Sequence, residues 1–402
     1  MKIGIISETK IPEDNRVALS PKQMAQLKSE YPNDEFFVQS SSIRAYSDDE
    51  YRAEGIAVVD NIKDCDVLFG IKEANMDSLI PNKHYFFFGH IAKMQEYNRP
   101  LLQTMLKKKL TFSDYEYLVD DNNIRVCAFG WWAGVVGVYY TLRGYGLKYK
   151  LYDLPKPTRQ FTLDQLLQSL KGIELPKVKL LVTGAGRVSQ GAQYVLDNIG
   201  AEKLTEDSYL STEKVNRLSY CVADVDRLVK RKDGGEFSWN DFTHNAKEYE
   251  SDFMRWAKKT DMLICAHFWG PEAPVYLSED DLRNKDMSIR MIGDVTCDIK
   301  GSIKSTVRPA THDAPYYDYN PATEKDEPAF SSPDNISVMA VDTCPNALAI
   351  DTSAYFGDML IPHVFRPLLN GEDSKVIERA TIVKNGELTD RFAYLESFVN
   401  NQ

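Results

Sequence analysis

Two short apolar runs, VLFGI (67–71) and YFFFG (85–89), are each followed at once by a group that can carry a proton: Lys72 after the first, His90 after the second. Arg16 lies in the loop after an earlier apolar run, KIGIIS (2–7). A guanidinium binds a carboxylate through two parallel hydrogen bonds. A lysine–histidine pair exchanges protons near neutral pH once partial burial lowers the lysine. An anchor, a base and an acid facing a nicotinamide are the tools for oxidising an amine to an imine and then adding water to it. Each residue also has a plainer reading: a lysine at a solvated strand end, a hydrogen-bonded structural histidine, and an Arg16 paired only with Glu13 or Asp14.

A second stretch, VKLLVTGAGRVSQGA (178–192), reads as strand, glycine turn and helix start in that order. Gly184 permits the tight turn and Gly186 lets the backbone approach a pyrophosphate. Arg187 and Val188 open the helix whose N-terminus would hold it. The third glycine of a GxGxxG pattern would fall at Ser189, and the next glycine is Gly191. The acid that binds the ribose should end the following strand, where YCVADVD (220–226) offers Asp224 and Asp226; Asp224 is the preferred candidate. Both lie further from the loop than the usual ~20 residues, so AEKLTEDSYLSTEKVNR (201–217) reads as an insertion. A carboxylate here repels a 2′-phosphate and favours NAD as cofactor, while Arg227 and Lys230 just behind it keep NADP open.

The elements that must position these groups follow a regular rhythm. KIGIIS is a buried strand, and SPKQ (20–23) places Ser at the N-cap, Pro at N1 and Gln at N3 of a helix running through MAQLKSEY. EFFVQS, IAVVD, DVLFGI and YFFFG follow as strands, with helical stretches such as SDDEYRAEG between them. That alternation predicts a parallel sheet with helices on both faces. Residues 150–177 are a polar, proline-bearing transition, after which VKLLVTG, LSYCVADV, DMLICAHF and SIRMIGDV supply the strands of a second α/β unit. From about residue 345 the pattern turns helical through AYFGDMLIPHVFRPLLNG before RATIVKNGEL, which suggests a return to the first domain. The expected fold class is α/β, with two doubly wound Rossmann-like domains and a cleft between them. Residues 1–145 would form the substrate domain, 146–345 the NAD(P)-binding domain, and 346–402 the returning helical segment. Ligands of open α/β sheets gather at the carboxyl ends of strands, where Lys72 and His90 would sit on neighbouring strands.

Composition bounds the reading. The 402 residues suffice for two domains, and 43% apolar with 27% charged residues is ordinary for a globular protein. A net charge of −11 argues against a nucleic-acid or anionic-membrane surface but allows a local basic pocket. The six cysteines show no CxxC pair and no metal-ligand spacing, as expected of reduced thiols in a cytoplasmic protein that holds no metal. MKIGIISETK lacks the apolar core of a signal peptide and reads as a first strand. VCAFGWWAGVVGVYYTL (126–142), the one candidate for a membrane span, is short and holds three glycines, so it reads as a buried helix between domains. A small-molecule substrate is the expected partner, and oligomeric state is left open.

ETKIPEDNRVALSP (8–21), the IKE of 71–73 and HIAKMQ (90–95) resemble the alanine dehydrogenase and saccharopine dehydrogenase superfamily. FSDYEYLVDDNNIRVCAFGWWAGVVG, TGAGRVSQGAQ, GDVTCDIKGSI and YFGDMLIPHV look closest to its lysine-forming saccharopine dehydrogenases and to the lysine–2-oxoglutarate reductase half of the bifunctional aminoadipic semialdehyde synthases. The resemblance implies NAD(P)-linked interconversion of saccharopine with L-lysine and 2-oxoglutarate. Carried over, Lys72 would be the base toward the secondary amine and His90 its acid–base partner in imine hydrolysis. Glu73 and Glu116 would tune that site, Arg16 and Lys93 would hold substrate carboxylates, and Trp131 would line the cleft. Asp298 would lie near the nicotinamide, with Asp294 its competitor. Two stretches depart from the pattern. LAIDTS (348–353) replaces the LPREAS-like run of the fungal enzymes, which leaves the amino-acid side chain open. Asp224 stands where the NADPH-preferring reductase half has basic residues. Alanine dehydrogenase activity on pyruvate and ammonia, or a dinucleotide-binding regulator without catalysis, are the rival readings.

Overall fold

Short apolar runs behind capped helices build the first sheet. In the computed structural model, which describes residues 1–400, the chain begins with β1 (Lys2–Ile5), α1 (Pro21–Glu30), β2 (Glu35–Gln39), β3 (Ala57–Val59), β4 (Val67–Phe69), β5 (His84–Phe87) and β6 (Thr111–Asp114). Ser20 and Gln23 cap α1 reciprocally: Gln23 N donates to the serine hydroxyl, and Ser20 N donates to the glutamine carbonyl at 2.9 Å. The six strands are parallel and ordered β3-β2-β1-β4-β5-β6. The order reverses between β1 and β4, the kind of switch point where open α/β sheets bind ligands.

The second unit starts at Gly130. It contains α2 (Gly130–Tyr149), β7 (Lys179–Thr183), α3 (Arg187–Asn198), β8 (Glu202–Lys203), β9 (Ser219–Ala223), β10 (Val229–Arg231), β11 (Tyr249–Ser251), β12 (Met262–Cys265), β13 (Met291–Asp294), β14 (Tyr316–Asn320), β15 (Lys325–Glu327) and β16 (Ile336–Met339). Its sheet runs β15-β14-β16-β13-β12-β7-β9-β8, with the switch between β7 and β12. All five residues of β7 are buried, as a central strand covered on both faces requires.

The sequence places the first boundary at 145, whereas the chain divides between Phe129 and Gly130, so all of α2 belongs to the second unit. The reason is in its glycines. A Cβ on Gly134 would fall 1.8 Å from Val188 O of α3, and one on Gly191 would fall 1.8 Å from Trp131 O. The two helices therefore pack backbone to backbone. Among the described residues no helix is long and apolar enough to cross a membrane.

The chain then returns to the first unit through α4 (Ala349–Leu360), β17 (Thr381–Lys384) and β18 (Glu387–Leu388). β17 joins the first sheet antiparallel to β6. The parallel sheet expected over the first 140 residues is present, and both sheets also carry antiparallel edge strands, β17 and β18 in one, β14 and β15 in the other.

Candidate active site

Lys72 and His90 follow adjacent parallel strands, since β4 pairs with β5 through Val67↔His84, Leu68↔Tyr85 and Phe69↔Phe86. The chain leaves β5 through Gly89, whose N–H donates to Asp114 at 3.0 Å, and His90 takes a left-handed φ of 51°. Its Nδ1 lies 2.9 Å from Glu73 Oε1, and Lys10 Nζ lies 3.2 Å from Glu73 Oε2. Burial opposes ionisation of Glu73, but the hydrogen bond and charge of His90, then the charge of Lys10, hold it down at about 2. An ionised carboxylate only accepts hydrogen bonds, so Nδ1 is the donor and Nε2 of a neutral ring is left as the proton acceptor.

One carboxyl at the switch point, Glu8, holds the lysine loop, and a second, Asp14, holds Arg16. Glu8, just beyond β1, is buried and accepts the backbone N–H groups of Ile71 at 2.6 Å and Lys72 at 2.9 Å, one on each oxygen. Burial and the neighbouring charge of Asp14 push Glu8 up to about 8. Asp14 is itself buried, yet Arg16 keeps its carboxyl below the ordinary value.

Arg16 is 4% exposed and bound bidentately by Asp14, Nε to Oδ1 at 2.9 Å and Nη2 to Oδ2 at 2.5 Å. Its guanidinium also lies 4.3 Å from the centre of the Phe129 ring. The pairing with Asp14 is the plainer of the two sequence readings, and it leaves only Nη1 outside that fork. The LAIDTS run supports the same loop: Val17 N donates to Ser353 Oγ at 2.9 Å. Lys93, half exposed, sits 3.2 Å from Glu116 Oε1, which Arg125 also meets at 2.5 Å. Against the effect of burial, those two cations keep Glu116 below its ordinary value.

Lys72, Glu73, His90, Lys93, Glu116 and Arg16 are thus brought together in the first unit, while Trp131 and Asp298 lie in the second. Trp131 packs against Trp132 and Tyr194, ring centres 5.0 Å away in each case. Asp294, the competitor, is buried at the end of β13 and saturated: its oxygens accept from Thr296 N, the Thr296 hydroxyl, Cys297 N and the Thr306 hydroxyl. Asp298 is the more accessible of the pair. Sequence reasoning missed Glu8 and Lys10 as site members. Glu8 obeys the same strand-end rule that singled out Lys72, but the meeting of Lys10 with Glu73 is tertiary and leaves no local signal.

In the second unit Gly184 has φ +82°, and a Cβ there would meet His267 Cα at 2.8 Å and Ala266 O at 2.9 Å. A Cβ on Gly186 would meet nothing within 4 Å. Gly186 is the N-cap of α3 and, having no side chain, leaves the start of that helix open to a close approach. Arg187 and Val188 begin α3, and Asp224 directly follows β9, with Oδ1 accepting its neighbour's N–H, from Val225 at 2.8 Å. These residues line a cavity of about 530 Å³ together with Trp239, His267 and Phe268. His267 is pinned by Thr183 Oγ1 at 2.6 Å and Ser302 Oγ at 2.9 Å, and burial pushes it down to about 3. It is a neutral wall of the cavity rather than a proton carrier. Open space at Gly186, the start of α3 and a carboxylate just past the strand fit a dinucleotide.

Residues 4–136 match the family described as "Alanine dehydrogenase/PNT, N-terminal domain". The chain is 28% identical to the alpha-aminoadipic semialdehyde synthase of Arabidopsis thaliana, over 98% of this chain but 41% of that protein, so it spans less than half of that relative. It is 26% identical to the saccharopine dehydrogenase [NAD(+), L-lysine-forming] of Candida glabrata, over 88% of each chain. Among solved structures an L-alanine dehydrogenase shares the fold, with a TM-score of 0.66 and 17% identity over 100% of this chain and 99% of that one.

Proposed function

We propose that the chain is an NAD-linked dehydrogenase of a carbon–nitrogen bond, interconverting saccharopine with L-lysine and 2-oxoglutarate. The observation that carries this reading is the pair Lys72 and His90 on adjacent strand ends beside a switch point, with His90 Nδ1 held by Glu73. The relatives named above, which include a lysine-forming saccharopine dehydrogenase, point the same way. Asp224 just beyond β9 supports NAD, because a carboxylate there would hydrogen-bond the ribose 2′-OH and repel a 2′-phosphate.

In the oxidative direction Lys72 takes one proton from the ammonium form of the secondary amine, leaving a neutral amine that becomes an iminium on losing hydride. A nicotinamide cofactor held through Gly184, Gly186 and Asp224 would supply the acceptor for the hydride on the carbon beside that nitrogen. His90 Nε2 then removes a proton from water as it adds to the resulting imine carbon. Lys72 returns its proton to nitrogen, and the carbinolamine collapses to lysine and the 2-oxo acid while its hydroxyl proton passes to a base. Arg16 Nη1 and Lys93 supply positive charge for the substrate's three carboxylates.

The test is oxidation of reduced nicotinamide by purified protein, with lysine plus 2-oxoglutarate set against ammonia plus pyruvate, each with NADH and NADPH. Turnover with lysine and 2-oxoglutarate alone supports the proposal. Turnover confined to ammonia and pyruvate moves the protein to the alanine dehydrogenase reading, and tight nucleotide binding with neither activity supports a regulator.

A further inference from the structure

Between β9 and β12 the chain leaves the sheet and builds a small module. β10 and β11 pair antiparallel, Val229↔Ser251 and Arg231↔Tyr249, and carry the short helix Trp239–His244 between them. The module has its own core: Phe242 and Tyr249 are buried with ring centres 5.1 Å apart, and Phe237 packs on both. Arg231 pairs with Asp241, and the Tyr249 hydroxyl donates to the same carboxylate at 2.8 Å. Nothing in this arrangement needs an exposed indole.

Trp239 nevertheless stays 46% exposed. Phe237 and Phe242 meet its ring edge to face, planes at 87° and 85° and centres 5.4 and 6.1 Å away, which fixes the plane of the indole. The same side chain lines the cavity that holds Gly184, Gly186 and Asp224. Phe268, the other exposed aromatic of the lining, has no ring contact to brace it among the described residues.

We propose that Trp239 stacks on the adenine of the dinucleotide and closes the adenosine end of this cavity. The inference rests on reading the second unit as a dinucleotide site. Asp224 places the adenosine ribose at the end of β9, and the base is joined directly to that ribose, so adenine must lie among the residues flanking Asp224. A planar base gains most from a rigid aromatic face held in place beforehand, and Trp239 is the braced one.

The experiment is calorimetric titration of the full chain with ADP-ribose, comparing wild type with Trp239→Phe and Trp239→Leu. Leucine keeps an apolar side chain without a ring, so a merely structural role would be served by either variant. Stacking predicts that Trp239→Leu weakens ADP-ribose binding on the order of 5- to 150-fold, while Trp239→Phe stays within a few-fold of wild type. Equal affinity of Trp239→Leu and wild type overturns the proposal and leaves the dinucleotide reading standing. Absence of ADP-ribose binding by wild type overturns both. An unchanged melting temperature across the three proteins removes misfolding as the cause of any loss.

Discussion

His90 Nδ1 and Glu73 Oε1 stand 2.9 Å apart, and this one hydrogen bond decides which ring nitrogen can take a proton. In Glu73→Gln the amide can face the ring with either its oxygen or its nitrogen, so the tautomer is no longer set. We expect kcat to fall by roughly 10²-fold with KM within a few-fold of wild type, measured by steady-state kinetics at neutral pH. The carboxylate is held at about 2 against an ordinary 4.5, so it contributes stability above pH 4.5 that is lost as pH falls toward 2. Acid unfolding of Glu73→Gln should lack that component.

Glu8 has the opposite sign. Its carboxyl is raised from 4.5 to about 8, so the folded chain binds more protons than the unfolded one between those values. This group's contribution is fully present below pH 4.5 and declines as pH rises through 8. Denaturant midpoints measured across that window should fall less steeply with pH in Glu8→Gln than in wild type. Glu8→Ala removes both acceptors of the Ile71 and Lys72 N–H groups and should lower kcat as well as stability.

The two glycines of the loop should fail in different ways. Gly184→Ala meets the backbone of His267 and a positive φ, so the protein loses about 1–3 kcal/mol of stability in denaturant titrations. Gly186→Ala meets nothing in the protein, so its midpoint should stay unchanged while its methyl group intrudes on the dinucleotide. NADH binding followed by nucleotide fluorescence should weaken by about tenfold or more in that variant.

Asp224→Asn removes the charge that repels a 2′-phosphate. The ratio of kcat/KM for NADH over NADPH should drop by about tenfold or more, chiefly through loss of a charge-assisted hydrogen bond to the ribose.

The α/β class, most strands of the first sheet and half of those of the second were legible in the sequence, because runs such as VLF and HYFF are local and their turns are marked by glycine and proline. The capping box of Ser20 and Gln23 was legible for the same reason. Strand direction was not: TIVK and YYDYN carry no mark that distinguishes an antiparallel edge from a parallel interior. The glycines of α2 announced close packing without naming the partner, which proved to be α3. At the site, chemistry-bearing residues at strand ends were readable as candidates, yet their pairings were not. Arg16 could be seen to have an acid two residues away, but only the folded loop shows Asp14 occupying two of its nitrogens. Trp239 had no signal at all, since it reaches the cavity from a module far from the glycine loop in sequence.

The central claim is that Lys72 and His90 move the protons of the reaction. Its most direct test is turnover of Lys72→Met combined with His90→Gln, with nucleotide affinity measured on the same protein. The account predicts a loss of at least about 10³-fold in kcat with NADH affinity unchanged, because neither residue lines the cavity that holds Gly184, Gly186 and Asp224. Turnover within a few-fold of wild type would contradict it.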